Sequence, residues 1–216
     1  MSPTLALTGS DLCGDAAFSV ALSVDGDVVT RSVPPGERGD LAVLCREVCA
    51  ERAVAPAALA RVVVDVGPGS YTGLRVAVTF VRMLQRFSGV DVRGVCSLAA
   101  LARWTAASAR APVRTLLDAR RGRLHTALHQ HAGGVTRELE ASRALPAEDV
   151  LGALDRGDVL VAPRGLAERL REERGLELTA ASGWTAAALL ADGLPSFEAS
   201  AADLEPRYLM ASYAED

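Results

Sequence analysis

A run of β-branched residues leads into a glycine-rich turn and then an apolar helix in the stretch Val62-Val63-Val64-Asp65-Val66-Gly67-Pro68-Gly69-Ser70-Tyr71-Thr72-Gly73-Leu74-Arg75. Valine favours a buried strand, because its branched side chain packs well on a pleated sheet. The three glycines permit close backbone approaches and torsions that a side chain would forbid. We therefore predict a strand, a tight turn and a helix here, around which the rest of the fold is assembled.

The turn is a candidate phosphate loop, since free N–H groups at a glycine-lined helix start attract anions. Its spacing, Gly-x-Gly-x-x-x-Gly, lacks the Lys-Ser/Thr pair of a P-loop and is one residue longer than the dinucleotide fingerprint. A tight turn without a ligand explains the pattern equally well. The candidate loop residues are Gly67, Gly69, Ser70, Thr72, Gly73 and Arg75.

The helix after the turn is apolar over a wide surface. Its polar side chains fall in one narrow stripe at about 100° per residue, and Arg75, Arg82 and Arg86 in it can either contact phosphate near a partner or stay solvated. The remaining side chains form two ridges, one of which should pack on a sheet. The other needs a second domain or another subunit as its cover. The first ridge is Leu74, Ala77, Val78, Val81 and Leu84, and the second is Val76, Phe80, Met83 and Phe87.

We predict that the second ridge faces a partner, because its side chains are larger and more adaptable than those of the first. An earlier helix, predicted up to about Arg52, also repeats apolar residues with helical spacing. Three of its residues are expected to join the second ridge in one flat apolar patch that binds another protein. These are Leu41, Leu44 and Val48.

Composition limits the function classes. The 216 residues are 50% hydrophobic, which suffices for a core in one large or two small domains. A net charge of −4 argues against independent nucleic-acid binding, which usually needs a basic face, so any RNA contact should be shared with a partner. Neither a signal peptide nor an apolar run of about 18 residues is recognisable, so a cytoplasmic protein without membrane contact is expected.

The order of predicted elements repeats along the chain. A triplet of strands opens the sequence, and a second triplet begins at Val113, each followed by helices and further strands. We therefore predict an α/β protein of two related halves. Residues 1–98 carry the glycine loop and the partner helices, and residues 99–216 form a smaller half. The predicted triplets are 4–8, 16–24 and 28–33, and 113–117, 124–129 and 135–139.

Four segments resemble the TsaB (YeaZ) family. Residues 67–75, Gly-Pro-Gly-Ser-Tyr-Thr-Gly-Leu-Arg, match its Gly-Pro-Gly-Ser-Phe-Thr-Gly-Leu-Arg signature except at Tyr71. Residues 94–98, 118–122 and 206–209 are similar to its Gly-Val-Ser-Ser-Leu, Asp-Ala-Arg-Arg-Gly and Pro-x-Tyr-Leu segments, in the same order. The resemblance spans nearly the whole chain.

The resemblance implies two actin-like (ASKHA, ribonuclease H-like) halves, with mixed sheets flanked by helices. It implies a non-catalytic subunit that binds a TsaD-type transferase, with a TsaE-type ATPase joining, for threonylcarbamoylation of the adenosine next to the anticodon in tRNA. Such a subunit contacts tRNA indirectly through the complex and forms a homodimer when isolated. No cofactor is expected on the chain alone, and ATP or ADP with Mg is a candidate ligand of the partner interface only.

One departure from the family bears on chemistry. The family's first strand usually ends in Asp-Thr-Ser, whereas this chain has Thr8-Gly9-Ser10. In actin-like ATPases an acidic residue at this position helps to hold the metal through water. Thr8 therefore argues against the alternative function, a small ATPase or sugar kinase of the same superfold, and we predict no catalytic residue.

Two side-chain clusters have both a chemical and a structural interpretation. His125, His129 and His131 alternate along a predicted strand, but no Asp, Glu or Cys accompanies them, so we predict a solvated face and no metal site. A second basic cluster lies at a hairpin turn. Its arginines can either contact phosphate or simply keep the exposed turn soluble, and the sequence favours neither interpretation. Its members are Arg120, Arg121 and Arg123.

Overall fold

The structure, a computed structural model, describes residues 2–37, 39–105, 110–155 and 157–209. The chain divides into two compact units. Unit 1 contains Met1–Ser97, Gly183–Ala191 and Ser196–Arg207; unit 2 contains Leu98–Ser182, Asp192–Pro195 and Tyr208–Asp216. Two C-terminal segments that are predicted to lie in the second half therefore belong to unit 1 instead. Their contacts with unit 1 are made across more than a hundred residues of sequence, which no local pattern reveals.

Unit 1 is built around a mixed sheet. Its elements are β1 (Thr4–Thr8), β2 (Phe18–Val24), β3 (Asp27–Val33), α1 (Leu41–Glu51), β4 (Arg61–Asp65), α2 (Tyr71–Ser88), β5 (Asp91–Val95) and, from the C-terminal part, β11 (Ser196–Glu198). The strand order is β11-β5-β4-β1-β2-β3. β1, β4 and β5 are parallel, whereas β2, β3 and β11 pair antiparallel with their neighbours.

Unit 2 repeats this topology. A helix, α3 (Ser97–Thr105), begins at the boundary, and the sheet has the order β10-β9-β6-β7-β8. That order is equivalent to β5-β4-β1-β2-β3 in unit 1, with the same parallel and antiparallel pairs. The predicted α/β fold with a repeated strand triplet is confirmed. The elements of unit 2 are β6 (Val113–Asp118), β7 (Arg123–Ala132), β8 (Val135–Pro146), α4 (Ala147–Gly152), β9 (Val159–Pro163), α5 (Arg164–Arg174) and β10 (Thr179–Ala181).

The two faces of the unit 1 sheet have different covers. One face carries the aliphatic side chains that pack with α1 and α2 in the core. Because neighbouring residues of a strand point to opposite faces, Thr8, Ser19 and Asp65 lie on the other face. The segment Gly183–Ala191 covers that face, and the N–H of Ala186 donates to Ser19 Oγ at 3.1 Å. Both faces are therefore closed within unit 1.

Helix α1 buries the residues that are predicted to bind a partner. Leu41, Leu44 and Val48 are 4%, 8% and 0% exposed, and they lie in the core cluster beside β2 and β3. The prediction that they form part of an exposed patch is wrong. An amphipathic helix has one apolar stripe, and in α1 the chain's own sheet already covers it.

None of the helices in the described ranges has the length and apolarity that crossing a membrane requires.

Candidate functional site

Helix α2 presents the candidate partner surface, and its ends are set by local sequence. Ser70 caps the first turn, because its Oγ accepts from the N–H of Gly73 at 3.3 Å. The helix ends at Gly89, whose φ of 69° is left-handed. Between these residues it runs for 18 residues without a proline or a glycine after the first turn.

The two ridges of α2 have opposite environments. Leu74, Ala77, Val78 and Val81 are buried on the sheet. In the other ridge, Val76, Met83 and Phe87 are 44%, 55% and 82% exposed. Phe80 is only partly buried and packs against the edge of the core. The predicted choice of outward ridge is thus confirmed as to exposure, while its contact with a partner stays a prediction.

The outward ridge is continuous. Its residues are spaced by four, three and four positions, so they follow one another along the same side of the helix. A shallow groove of about 410 Å³ runs beside them and is lined by Arg75, Val76, Thr79, Phe80 and Met83. A connected strip of large exposed apolar side chains is typical of a protein-binding surface. We call Val76, Phe80, Met83 and Phe87 the α2 ridge.

The polar stripe beside the α2 ridge is partly held in place by the helix itself. The Arg75 guanidinium donates to the Tyr71 hydroxyl at 2.8 Å and lies 5.4 Å from the centre of the Tyr71 ring. Arg82 is half-buried, whereas Arg86 is exposed. Arg75 is therefore held at the first turn of the helix, next to the glycine loop.

The glycine loop closes on the chain's own backbone. A Cβ at Gly73 would lie 2.0 Å from the carbonyl oxygen of Gly9, and a Cβ at Gly69 would lie 2.5 Å from Cβ of Ser10. The N–H of Ser70 donates to the carbonyl oxygen of Ser10 at 2.7 Å. The structure brings the predicted loop residues together around the start of α2, but the N–H groups of Ser70 and Gly73 already have partners within the chain. Phosphate binding by this loop stays a prediction.

A buried polar cluster lies behind the loop. Asp65 is fully buried, and the Thr8 hydroxyl donates to its carboxylate. The Trp184 indole N–H donates to Ser10 Oγ at 3.0 Å and contacts Thr8 Oγ1 at 3.3 Å. Burial raises the pKa of the Asp65 carboxyl to about 6, although hydrogen bonding to the Thr8 and Ser10 hydroxyls acts in the opposite direction. The cluster ties β1, β4 and the 183–191 segment together.

The sequence alone does not predict this buried polar cluster. In the sequence Asp65 is only one polar residue within a valine run, and Trp184 lies more than a hundred residues away. The one sequence feature that points to the cluster is the departure at position 8, where a hydroxyl replaces the family's acid. The structure shows that this hydroxyl serves a neighbouring carboxylate.

The histidines of β7 do not form a solvated face. His129 is 1% exposed, so that part of the prediction is wrong, and His131 Nδ1 lies 3.1 Å from Thr136 Oγ1. Burial lowers the pKa of both His125 and His129, which favours their neutral forms. Across the described residues, no group of three or more His, Cys, Asp or Glu side chains is arranged to hold a metal ion.

Two units with the same mixed-sheet order, flanked by helices, define an actin-like (ASKHA) α/β protein. A sequence model for TsaD, tRNA N6-adenosine threonylcarbamoyltransferase, matches residues 38–191. The tRNA threonylcarbamoyladenosine biosynthesis protein TsaB of Bacillus subtilis (strain 168) is 30% identical over 174 residues, which cover 75% of this chain and 74% of that protein.

Two solved structures from Pseudomonas aeruginosa have the same fold. YeaZ is 25% identical with a TM-score of 0.77, and a protein described as similar to the peptidase YeaZ is 27% identical with a TM-score of 0.78. Each alignment covers 97% of this chain and 100% of the other. The chain belongs to the TsaB (YeaZ) family, a family of tRNA threonylcarbamoyladenosine biosynthesis.

Proposed function

We propose that this chain is a non-catalytic subunit that binds a TsaD-type transferase through the α2 ridge. The carrying observation is the exposure of three large apolar side chains, Val76, Met83 and Phe87, on one side of a long helix. Exposure of such apolar side chains to water is unfavourable, and their burial against a second protein supplies the free energy of association. A TsaE-type ATPase is proposed to join this complex, and tRNA to be reached through it.

The buried polar cluster supports the absence of chemistry on this chain. Position 8 carries a hydroxyl, and the nearby carboxylate, Asp65, is enclosed by the sheet and Trp184. A carboxylate that holds a metal through water must be reachable by water, and Asp65 is 0% exposed. ATP or ADP with Mg is proposed to bind at the partner interface, beside Thr72 and Arg75.

The isolated chain is proposed to form a homodimer through the same ridge. A two-fold dimer would place one α2 ridge against its copy, so that both strips are covered at once. The transferase and the second copy then compete for one surface. The homodimer should therefore dissociate when the transferase is added.

Co-expression with the cognate TsaD-type transferase, followed by size-exclusion chromatography, tests the proposal. Phe87→Asp and Met83→Asp each place a charge in the ridge and should abolish co-elution, because a desolvated unpaired charge weakens association by about 2–4 kcal/mol. The matched control is Leu139→Asp, the same change at a side chain of unit 2 that is 49% exposed. It should co-elute like the wild type.

Circular dichroism distinguishes loss of binding from loss of folding. Both ridge variants should keep the wild-type spectrum, since their side chains are exposed, whereas Val78→Asp at a buried position should unfold unit 1. Co-elution of the two folded ridge variants at wild-type levels would refute the proposed surface.

A further inference from the structure

An arginine-rich cavity of about 560 Å³ opens on unit 2, between the β6–β7 turn, α4 and α5. Five arginines line it against two carboxylates, an excess of three positive charges on a chain whose net charge is −4. A concave surface of one sign concentrates ligands of the opposite sign. The arginines are Arg120, Arg121, Arg123, Arg169 and Arg174, and the carboxylates are Asp118 and Glu173.

Two of these arginines occupy a backbone conformation that arginine disfavours. Arg120, Arg121 and Gly122 have φ angles of 64°, 51° and 71°, which makes three left-handed residues in succession. Glycine adopts this conformation freely, whereas the Cβ of an arginine is strained there against the following carbonyl oxygen. The turn is fixed by hydrogen bonds from the Arg120 N–H to Asp118 Oδ1 at 2.7 Å and from the Ala147 N–H to the Gly122 oxygen at 2.8 Å. If these arginines only kept the turn soluble, positions without backbone strain would suffice.

The cavity also has an apolar floor. Leu124 and Leu170 are buried beneath it, and Leu151 is half-buried at its side. Two guanidinium groups are held within the chain, since Arg123 donates to the Ala144 oxygen at 2.6 Å and Arg169 to Asp118 at 3.1 Å.

Two further guanidinium groups remain available. Among the described residues, the side chains of Arg120 and Arg174 make no hydrogen bond or ion pair. The cavity thus offers unpaired cations above apolar side chains.

We propose that this cavity binds a ligand through its phosphate group, carried either by a free nucleotide or by an RNA strand. Guanidinium groups bind phosphate oxygens in pairs of parallel hydrogen bonds, and the leucine floor accommodates the ribose or base beside the phosphate. The inference does not rest on the docking role of the α2 ridge, because the cavity belongs to unit 2 and the ridge to unit 1.

Fluorescence anisotropy with a labelled single-stranded RNA of about 12 nucleotides tests the site, with unlabelled ATP as competitor. The test variant combines Arg120→Asn, which tolerates a left-handed φ, with Arg174→Gln. The matched control combines Arg137→Gln and Arg164→Gln, which remove the same charge from exposed positions of unit 2 outside the cavity. We expect the test variant to bind about tenfold more weakly than the control, because two charge-assisted contacts are lost.

The salt dependence identifies the ligand. For an RNA strand, removal of two phosphate contacts should lower the slope of log affinity against log salt by about 1.4, and ATP should compete poorly. For a free nucleotide, ATP should displace the RNA and lose affinity to the same variant. Equal binding of both probes by the test and control variants would overturn the proposal. Co-elution with the transferase should be unchanged in the test variant, so the failure of either proposal is separately visible.

Discussion

Substitution of Gly73 by alanine tests whether the glycine loop closes as described. A Cβ at this position would lie 2.0 Å from the carbonyl oxygen of Gly9, and the reciprocal Cβ at Gly9 would lie 2.3 Å from the Gly73 oxygen. Contacts of this kind below 3.0 Å are essentially never seen. The two backbones must therefore separate by about 1 Å, which would also stretch the hydrogen bond from the Ser70 N–H to the Ser10 oxygen.

The size of this destabilisation follows from two unfavourable contributions and one favourable contribution. Overpacking of a tight contact costs about 1–3 kcal/mol. Weakening of the Ser70–Ser10 hydrogen bond adds about 1 kcal/mol. Alanine in place of glycine in a helix returns about 1 kcal/mol through its better helix propensity. We expect Gly73→Ala to lower the free energy of unfolding of unit 1 by about 2 kcal/mol.

Gly165→Ala is the matched control. Gly165 also lies in the first turn of a helix, α5, but nothing lies within 4 Å of its added Cβ, so only the gain in helix propensity of about 1 kcal/mol applies. Urea denaturation followed by tryptophan fluorescence reports on Gly73→Ala when both chains also carry Trp104→Phe, because Trp184, which is buried in unit 1, is then the sole tryptophan. Circular dichroism reports on both substitutions. Stabilisation by Gly73→Ala equal to that by Gly165→Ala would refute the close approach of β1 to α2.

Two other predictions concern buried charges. The pKa of Asp65 is raised from 3.8 to about 6 in the folded chain, so between these pH values the folded state holds one proton more than the unfolded state. The free energy of unfolding of the wild type should therefore fall by about 3 kcal/mol as the pH rises from 4 to 6 and then level off. Asp65→Asn should remove this fall, measured by urea denaturation at each pH. Arg114, which is 7% exposed, donates to both oxygens of Glu140 at 2.8 and 3.0 Å and to Asp158 at 3.0 Å, so Arg114→Met should destabilise unit 2 by about 3 kcal/mol in thermal denaturation. Arg114→Lys should recover less than half of that loss because ammonium cannot bind a carboxylate in the forked geometry, and a fully stable Arg114→Met variant would contradict the ion-pair account.

Local periodicity predicts the elements of this fold well. The strand triplets, the long helix α2 and its exposed ridge all follow from spacing within about 20 residues, because the pattern of apolar side chains reflects one face of one element. Leu41, Leu44 and Val48 show the limit of this reasoning. Their spacing identifies an apolar face of α1 but not its cover, which is the chain's own sheet.

Contacts between distant segments are beyond such patterns. β10 and β11 have three residues each, too few to show an alternation, and they are defined only by pairing with β9 and β5. The three glycines of the loop predict a close approach, yet nothing in the sequence identifies Gly9 as the backbone that fills the space. The same holds for Trp184, whose indole reaches the first strand.

The exchange at position 8 connects the fold to the proposed function. A carboxylate at the end of β1 would lie in contact with Asp65, and two enclosed carboxylates cannot both be ionised without a cation between them. Threonine resolves this conflict, since its hydroxyl donates to Asp65 and needs no metal. Trp184 then closes the cluster from the other side. Asp65 is thus enclosed in unit 1 and bonded by Thr8, an arrangement that agrees with the proposed non-catalytic role and with the exposed surface of α2 as the proposed functional part of unit 1.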